Sequence, residues 1–267
     1  MPLAVCATPI GNLEDVTLRV LRELAESEVV LCEDTRRTRV LLQRHGVSAR
    51  LVSYHEHNEA ARTAEVLPRL QDGARVALVS DAGLPGVSDP GARLVAAAID
   101  AGVVVTVLPG PSAVDTALVA SGFVAERYQF LGYLPRGSAA LARVWDELRR
   151  WRWPAVAFES PQRLPATLSS LARAMPERQV AVCRELTKQF EETVRGTASE
   201  LHTRFAEPPR GEITLVFGPV SVAPPDDGEG VGAVQELVAV GVPRRQAAEL
   251  VARLTGMSRN VLYRRSL

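Results

Sequence analysis

The feature that most constrains the fold of this chain is a regular alternation of short apolar runs with amphipathic segments. The apolar runs span residues 3–7, 29–32, 51–54, 76–80 and 103–108. They have the length and composition of strands that are buried on both faces. Between them, segments such as 15–25, 38–45 and 58–70 carry apolar residues at helical spacing, and Asn58 could cap the last of these helices. This alternation predicts an α/β fold with a doubly wound parallel sheet, in which ligands bind beyond the carboxyl ends of the strands.

The second half of the chain shows a different pattern, in which strand-like runs outnumber helical segments. The strand-like runs span residues 128–134, 155–158, 179–183, 191–195 and 213–217. The helical segments span residues 141–151 and 165–174. We therefore predict two domains: an N-terminal α/β domain with a parallel sheet over residues 1–121, and a second α/β domain with a mixed sheet over residues 122–220.

The C-terminal part of the chain differs from both domains in composition and charge. Residues 224–232 read PPDDGEGVG, which predicts a linker, and we assign it to residues 221–231. We expect a small, basic helical C-terminal extension over residues 232–267, because residues 241–267 hold six arginines and one glutamate. The linker glycines follow no strand and lie among acids, so they do not predict a phosphate-binding loop.

Composition excludes several classes of protein. A hydrophobic fraction of 46% and a charged fraction of 23% are those of a folded globular protein. The 31 basic residues balance 31 acidic residues, so the chain does not coat nucleic acid by bulk charge. The most apolar stretch, residues 94–114, is broken by one aspartate and two prolines, so we expect no membrane span. Cys6, Cys32 and Cys183 lie in separate apolar runs, which favours buried thiols in a cytoplasmic protein.

Three loops rich in glycine and proline follow predicted strands of the N-terminal domain. They span residues 8–12, 80–91 and 109–113. Glycine lets the backbone approach a ligand closely, and proline stiffens a loop. Each loop alone could be a simple turn. Three of them at equivalent strand ends predict a preformed ligand site that does not depend on a nucleotide-phosphate motif.

Charged and aromatic residues suggest further contacts. Arg36 and Arg37 follow the second strand, where they could contact phosphate or form a solvated helix face. The histidines at positions 55 and 57 have no clustered partners, so we predict no metal site. Arg149 and Arg150 lie beside tryptophans that could stack on bases, although aromatic residues at helical spacing more often belong to a core.

Eight segments taken together resemble one family. In chain order they read ATPIGNLED, CEDTRRT, YHEHNE, VSDAGLPGVSDPG, VLPGPSA, GYLPR, FESPQR and CRELTKQFEE. The ordered set resembles the small-subunit rRNA (cytidine-2′-O)-methyltransferase I group of the tetrapyrrole methylase superfamily, over about residues 3–218. The end of the chain, SRNVLYRRSL, is similar to that group's C-terminal extension. Leu84 stands where the family usually has threonine, which removes a side-chain hydroxyl from this loop but leaves its backbone groups.

The resemblance implies a homodimer with S-adenosylmethionine in the cleft between two domains. It implies 2′-O-methylation of a decoding-centre cytidine in 16S rRNA of the small ribosomal subunit. Positions that match the family's motifs imply cofactor contacts from Thr8, Pro9, Gly11, Asp81, Ala82, Gly83, Ser88, Asp89, Pro109, Gly110, Ser112, Ala113, Tyr133, Leu134 and Arg184. We expect contacts to RNA from Arg36, Arg37, Asn58, Arg149, Arg150, Arg244 and Arg245.

Methyl transfer to a ribose hydroxyl needs alignment of the reacting atoms and removal of the hydroxyl proton. The residues that could assist are Glu33, Asp34, His55, Glu185 and Lys188, the last being the single lysine of the chain. Lys188 could act as a desolvated neutral base, as a cation, or only as the partner of Glu191 or Glu192 in a surface ion pair. Positioning alone could also suffice. The alternative functions are methylation of a tetrapyrrole, which needs no arginine cluster or basic tail, and a non-catalytic role in ribosome assembly.

Overall fold

Two five-stranded sheets and a separate group of helices make up the structure, a computed structural model that describes residues 2–86, 89–220 and 227–267. The chain divides into two compact units, Met1–Pro219 and Val220–Leu267. Both sheets belong to the first unit.

The first sheet is parallel throughout. Its strands are β1 (Leu3–Cys6), β2 (Val29–Cys32), β3 (Leu51–Ser53), β4 (Val76–Leu78) and β5 (Val105–Leu108). The helices that follow them in turn are α1 (Leu18–Glu26), α2 (Thr35–Arg44), α3 (Glu59–Gln71), α4 (Ala92–Asp100) and α5 (Ala113–Ser121). The strand order is β3-β2-β4-β1-β5. Because β1 lies between β4 and β5, the loops that follow these three strands are neighbours at one edge of the sheet.

Alternation of side chains along the strands gives this sheet two buried faces. Leu3 and Val5 belong to an apolar cluster with residues of α3 and α4, whereas Ala4 and Cys6 belong to a second cluster with residues of α1 and α2. Helices therefore cover both faces. The predicted α/β fold with a doubly wound parallel sheet is confirmed.

The second sheet is mixed, as predicted. Its strands are β6 (Gln129–Tyr133), β7 (Ala155–Glu159), β8 (Gln179–Arg184), β9 (Glu192–Thr197) and β10 (Ile213–Phe217), in the order β6-β7-β10-β8-β9. The helices between them are α6 (Ser138–Arg150), α7 (Leu164–Ala174) and α8 (Ala198–Arg204). Strand β10 runs antiparallel to both β7 and β8. Its first residue therefore lies beside the last residues of its two neighbours.

Helix α5 connects the two sheets. Val114, Ala117 and Leu118 of this helix pack against Val156 and Val216, which belong to the second sheet. The opposite face of the second sheet packs against α6, α7 and α8, where Trp145 is almost completely buried. This burial confirms that Trp145 is a core residue and excludes it as a platform for bases.

Local hydrogen bonds explain where two helices differ from the sequence expectation. Helix α2 begins at Thr35 instead of residue 38, because the Asp34 carboxylate accepts a hydrogen bond from the Arg36 backbone and caps the helix. Asn58 stands at the start of α3 but does not cap it with its side chain. The Asn58 side chain instead accepts from the His55 backbone and donates to the Ser53 carbonyl, so it braces the loop after β3.

The C-terminal unit contains helices α9 (Asp227–Ala239), α10 (Arg244–Thr255) and α11 (Arg259–Arg265) around a small apolar core. The predicted linker at residues 221–231 is therefore partly wrong, because its last residues are helical; residues 221–226 lie outside the described part. A Cβ at Gly230 would collide with Met257 and Leu262. This glycine permits close packing within the unit, although the composition of the segment had predicted a linker.

Two further expectations concern burial. The thiols of Cys6, Cys32 and Cys183 are buried and free, as predicted. Among the helices of the described residues, the longest apolar stretches are too short or too polar to cross a bilayer.

Candidate active site

A cavity of about 730 Å³ opens between the two sheets. One wall is formed by the loops after β4 and β5, from Ala82 to Leu84 and from Pro109 to Asp115. The other wall is aromatic: the rings of Phe130 and Tyr133 both meet the Phe158 ring edge to face, at centroid distances of 5.0 and 5.4 Å. We call this space the larger cavity. Backbone groups on one side and aromatic rings on the other suit a ligand with both polar and apolar parts.

A smaller cavity of about 340 Å³ adjoins it. It is lined by the loop after β1, by the start of α2 and by Lys188. Ile10, Ala82 and Glu212 line both cavities, so the two spaces meet at these residues. The geometry is that of two compartments with a common boundary, which suits a reaction between two bound molecules.

Hydrogen bonds fix the first two loops to each other. Thr8 and Gly83 form an isolated antiparallel bridge, with the Thr8 amide donating to the Gly83 carbonyl at 2.8 Å and the Gly83 amide donating back at 3.1 Å. The Thr8 hydroxyl also donates to the Ser80 carbonyl at 3.0 Å. The loops after β1 and β4 therefore act as one rigid wall, which agrees with the prediction of a preformed site.

The turn after β8 brings the lysine to the boundary of the cavities. Glu185 and Thr187 of this turn both have positive φ values, 53° and 65°, an uncommon conformation for residues with a side chain. Lys188 Nζ donates to Glu185 Oε1 at 2.9 Å and to Glu212 Oε2 at 3.0 Å. Glu185 Oε1 also accepts from the Glu212 backbone amide at 2.9 Å. The three side chains form one charged cluster.

A close approach of two backbones fixes this cluster against the loop after β1. A Cβ at Gly11 would lie 2.6 Å from Lys188 Cγ and 2.8 Å from the Leu186 carbonyl oxygen, so only glycine fits at position 11. The Asn12 amide donates to the Thr187 hydroxyl at 3.1 Å. The loop after β1 and the turn after β8 are thus locked together, which joins the two sheets at this point.

The charges in the cluster decide between the roles considered for Lys188. Partial burial disfavours its charge, but the hydrogen bonds that Lys188 donates to Glu185 and Glu212 outweigh burial and raise the pKa of Lys188. The same bond from Lys188, followed by that from the Glu212 backbone, lowers the pKa of Glu185. The geometry therefore favours the cationic role of Lys188 over that of a neutral base, because two carboxylates accept hydrogen bonds from its Nζ. The alternative of an ion pair with Glu191 or Glu192 is wrong, because Glu185 and Glu212 are the partners.

The other candidate bases lie outside both cavities. Asp34 caps α2 and pairs with Arg36, whose hydrogen bonds hold the pKa of Asp34 well below its usual range. Glu33 and His55 line neither cavity. Burial and the charge of Asp81 raise the pKa of Glu33. These three residues surround the site without reaching its boundary.

A further carboxylate lies in the wall of the larger cavity. Burial, followed by the charges of Glu33 and Asp81, raises the pKa of Asp89 to about 6. Asp81 accepts from the Asp34 amide at 3.0 Å and pairs with Arg37 at 3.2 Å. The edge of the parallel sheet is therefore rich in negative charge, part of which Arg37 neutralises.

The FESPQR segment supplies a buried ion pair beside the aromatic wall. The Glu159 side chain is fully buried and accepts hydrogen bonds from the Thr167 hydroxyl and the Ser160 amide, at 2.6 and 2.7 Å. Arg163 pairs with Glu159 at 3.3 Å and donates to the carbonyls of Leu134 and Pro135, at 3.0 and 2.8 Å. Arg163 therefore ties α7 to the segment that carries Tyr133.

Most of the residues expected to contact the cofactor line one of the two cavities. The larger cavity contains Ala82, Gly83, Asp89, Pro109, Gly110, Ser112, Ala113 and Tyr133. The smaller cavity contains Thr8, Pro9, Gly11, Asp81 and Ala82. Leu134 is buried behind the wall, and Arg184 bonds to Glu192 and the Arg210 carbonyl outside both cavities. Ser88 lies outside the described residues.

The residues expected to contact RNA come from separate elements of the chain. Arg37 lines the smaller cavity and Arg36 lies next to it on α2. Arg149 and Arg150 end α6, and Arg149 is engaged by Asp146 and the Ala174 carbonyl. Arg244 and Arg245 begin α10 in the C-terminal unit.

Two acidic residues of the site were absent from the expected set. Glu159 ends β7, and its position after a strand was visible in the sequence. Glu212 was missed because it precedes a strand: β10 is antiparallel to its neighbours, so its amino end lies at the edge where the others end. Among the described residues, no group of three or more His, Cys, Asp or Glu side chains has the arrangement of a metal site.

Comparison with known proteins follows the same division of the chain. Residues 2–202 match the family model for Tetrapyrrole (Corrin/Porphyrin) Methylases, and residues 224–267 match the RsmI C-terminal HTH domain. A Mesorhizobium japonicum protein named ribosomal RNA small subunit methyltransferase I is 44% identical, over 99% of this chain and 91% of its own. The Mycobacterium tuberculosis protein of that name is 45% identical, over 98% and 93%.

Solved structures share the fold. The methyltransferase CobJ superposes with a TM-score of 0.62 at 19% identity, over 82% of this chain and 94% of its own. A uroporphyrin-III C-methyl transferase from Thermus thermophilus, complexed with S-adenyl homocysteine, superposes with a TM-score of 0.56 at 19% identity, over 81% and 96%. The motif resemblance is thus confirmed, and the chain belongs to the tetrapyrrole (corrin/porphyrin) methylase family, within its ribosomal RNA small subunit methyltransferase I group.

Proposed function

We propose that this protein transfers a methyl group from S-adenosylmethionine to the 2′-hydroxyl of a decoding-centre cytidine in 16S rRNA of the small ribosomal subunit. The observation that carries the proposal is the pair of cavities that meet at Ile10, Ala82 and Glu212. Family membership supports methyl transfer and an rRNA substrate. We propose further that the protein acts in the cytoplasm as a homodimer.

The larger cavity is the proposed site of the cofactor. Its volume lies in the range of small-molecule sites, and it combines backbone-rich loops with an aromatic wall. The faces of aromatic rings and a nearby carboxylate favour a positive charge, and Asp89 supplies the carboxylate. When bound, the cofactor supplies a methyl group already activated by the sulfonium. The crystal structure of the Thermus thermophilus relative with S-adenyl homocysteine supports a cofactor of this class.

The smaller cavity is the proposed site of the acceptor nucleoside. It is the smaller of two compartments that share a boundary, and Arg37 and Lys188 supply positive charge at its rim for phosphate or ribose. A single nucleotide must leave its stack to enter a cavity of this kind, as in other enzymes that act on nucleotides. The arginines of α10 and α11 extend basic charge to a separate unit, which favours an RNA over a tetrapyrrole substrate.

In this scheme, the main contribution of the protein is to align the cofactor with the acceptor nucleoside. The rigid wall of Thr8 and Gly83 separates the compartments and fixes their distance. Lys188, held by Glu185, places a cation at the boundary, where it favours the oxygen that loses a proton. The aromatic wall limits water around the reacting groups.

A transfer assay with labelled S-adenosylmethionine tests the proposal. The acceptors are unmodified small ribosomal subunits, naked 16S rRNA and a uroporphyrinogen. We expect label in the rRNA as 2′-O-methylcytidine, identified by nuclease digestion and mass spectrometry. Label on uroporphyrinogen alone would instead favour a tetrapyrrole methyltransferase. Cofactor binding without transfer to any acceptor would favour a role in ribosome assembly.

A further inference from the structure

Glu212 occupies a place at the boundary that no other acidic residue shares. In the register of the second sheet, Ile213 pairs with Glu159 at the end of β7 and with Arg184 at the end of β8. Glu212, one residue earlier, therefore lies between two strand ends and next to both cavities. Of the carboxylates in the described residues, it alone lines both.

The backbone around Glu212 is tightly fixed. Gly211 has a φ of 98°, and a Cβ at this position would collide with the Glu185 carboxyl group. Glu185 and Glu212 exchange hydrogen bonds: the Glu185 amide donates to the Glu212 carbonyl at 3.0 Å, and the Glu212 amide donates to Glu185 Oε1 at 2.9 Å. The rigid backbone fixes the origin of the Glu212 side chain, which remains 72% exposed.

The other carboxylates of the cavity walls are engaged elsewhere. Asp81 is bound by the Asp34 amide and Arg37, and Asp115 accepts from the Tyr128 hydroxyl at 2.8 Å. The Glu159 side chain is fully buried and is bound by Arg163, the Ser160 amide and the Thr167 hydroxyl. Asp89 lines only the larger of the two cavities and interacts with the Ser80 side chain.

Glu212 has a different set of neighbours. Its Oε2 accepts from Lys188 Nζ at 3.0 Å, which orients the carboxylate, while Oε1 accepts no hydrogen bond from the described residues. The charged and titratable groups that face Glu212 are Lys188 and Glu185 from the turn after β8 and Tyr133 from the end of β6. One carboxylate oxygen is thus held and the other is available.

We propose that Glu212 is a catalytic residue that accepts the proton of the ribose 2′-hydroxyl, with Lys188 as the cation that orients it. The proposal rests on the proposed function. The hydroxyl oxygen forms a bond to the methyl carbon, the carbon–sulfur bond breaks, and its electron pair stays on sulfur. The oxygen becomes more acidic as the new bond forms, and its proton passes to the Glu212 carboxylate and then to solvent. Atoms and charge balance without another reactant.

Single-turnover transfer with saturating enzyme and cofactor measures this step directly. We expect Glu212→Gln to lower the rate by about 100-fold or more, because it keeps the size of the side chain but removes the base. The dissociation constants for S-adenosylmethionine and for the small subunit should stay within about threefold of wild type. Glu207→Gln alters an exposed carboxylate of the same loop and should transfer at the wild-type rate.

Glu212→Asp provides the second test, since it keeps the carboxylate on a shorter stem. Its rate should exceed that of Glu212→Gln by at least about tenfold. Equal rates for the two variants, a Glu212→Gln rate within about threefold of wild type, or a loss of cofactor affinity that accounts for the lower rate would each overturn the assignment. Failure of the proposed function looks different, because wild-type enzyme would then leave no label at a cytidine 2′-oxygen.

Discussion

Removal of the Arg163 side chain should destabilise the protein far more than removal of a surface arginine. Arg163 is the only cation among the groups bonded to Glu159, whose side chain is fully buried. Breaking a buried ion pair by truncating one partner costs about 3–5 kcal/mol, because a charge stays buried without its counter-charge. Two hydrogen bonds to the Glu159 carboxylate survive in Arg163→Ala, and Arg163 itself is 28% exposed. We therefore expect a loss of about 2–4 kcal/mol in the free energy of unfolding.

Urea unfolding at pH 7, followed by tryptophan fluorescence, measures this loss. All three tryptophans lie between residues 145 and 153, in α6 and the segment before β7, so the signal reports on the surroundings of the second sheet. Arg44→Ala is the matched control, because the Arg44–Glu14 pair is shorter, at 2.7 Å, but both side chains are more than half exposed. Such a pair contributes at most about 1 kcal/mol.

A second substitution separates charge from packing. Glu159→Gln in the Arg163→Ala background removes the charge that lost its partner, so the double variant should be more stable than the sum of single losses predicts, by about 1–3 kcal/mol. The affinity for S-adenosylmethionine should also fall in Arg163→Ala, since Arg163 holds the carbonyls on either side of the Leu134–Pro135 bond next to Tyr133. The reasoning is refuted if Arg163→Ala loses no more stability than Arg44→Ala, or if the two substitutions are additive.

Three further predictions address charge, space and the basic unit. Because the folded-state pKa of Asp89 is raised to about 6 from 3.8, ionised Asp89 opposes folding above pH 6 and not below pH 3.8. Asp89→Asn should therefore raise the free energy of unfolding by about 1–2 kcal/mol at pH 8 and leave it unchanged at pH 3.5. Urea unfolding curves that show equal gains at both pH values would contradict this prediction. Gly11→Ala should lower the rate of single-turnover transfer by about 100-fold, because the new Cβ displaces the turn that carries Lys188. Gly137→Ala is the control, since a Cβ at Gly137 meets no atom within 4 Å, and its rate should not change. Equal rates for the two variants would show that the turn accommodates the Cβ without loss of activity. The exposed arginines Arg245, Arg259 and Arg264 can be replaced together by glutamine. This triple variant should bind the small subunit more weakly, and the slope of log K against log salt should fall in magnitude by about 2–3, measured by filter binding between 50 and 200 mM salt. An unchanged slope would show that the C-terminal unit is not part of the RNA interface.

The strand and helix pattern of the first domain could be predicted because its signals are local. Each strand is a short apolar run, and side chains alternate between two buried faces. The predictions that were wrong concern the ends of helices, where a single side-chain hydrogen bond determines the residue at which the helix begins. Asp34 extends α2 by three residues through its bond to the Arg36 amide, and Asn58 braces a loop instead of capping α3. Several partners compete for a short polar side chain, and composition does not rank them.

The site could be predicted only where its residues follow parallel strands, because ligands of such sheets bind beyond the carboxyl ends of the strands. Loops after β1, β4 and β5 converge because these strands are neighbours, and the sequence alone located the glycines and prolines that they carry. The partners of Lys188 were not predictable, because Glu185 is close in sequence but Glu212 is brought in by a strand that runs the other way. Arg163 reaches Leu134 and Pro135 across nearly thirty residues, and only the packed structure shows the contact.

The mixed sheet has a chemical consequence that a parallel sheet would lack. In a parallel sheet, one edge receives only residues that follow strands, and residues that precede strands lie at the opposite edge. Because β10 is antiparallel, the edge that faces the cavities receives the ends of β7 and β8 together with the start of β10. Glu159, Glu185 and Glu212 therefore come from three adjacent strand ends. Two of them hold the local structure: Glu159 binds Arg163, and Glu185 binds Lys188 and the Glu212 amide. This arrangement leaves Glu212 to meet a ligand, and it makes Gly211 indispensable, since any side chain there would push Glu185 away from both Glu212 and Lys188.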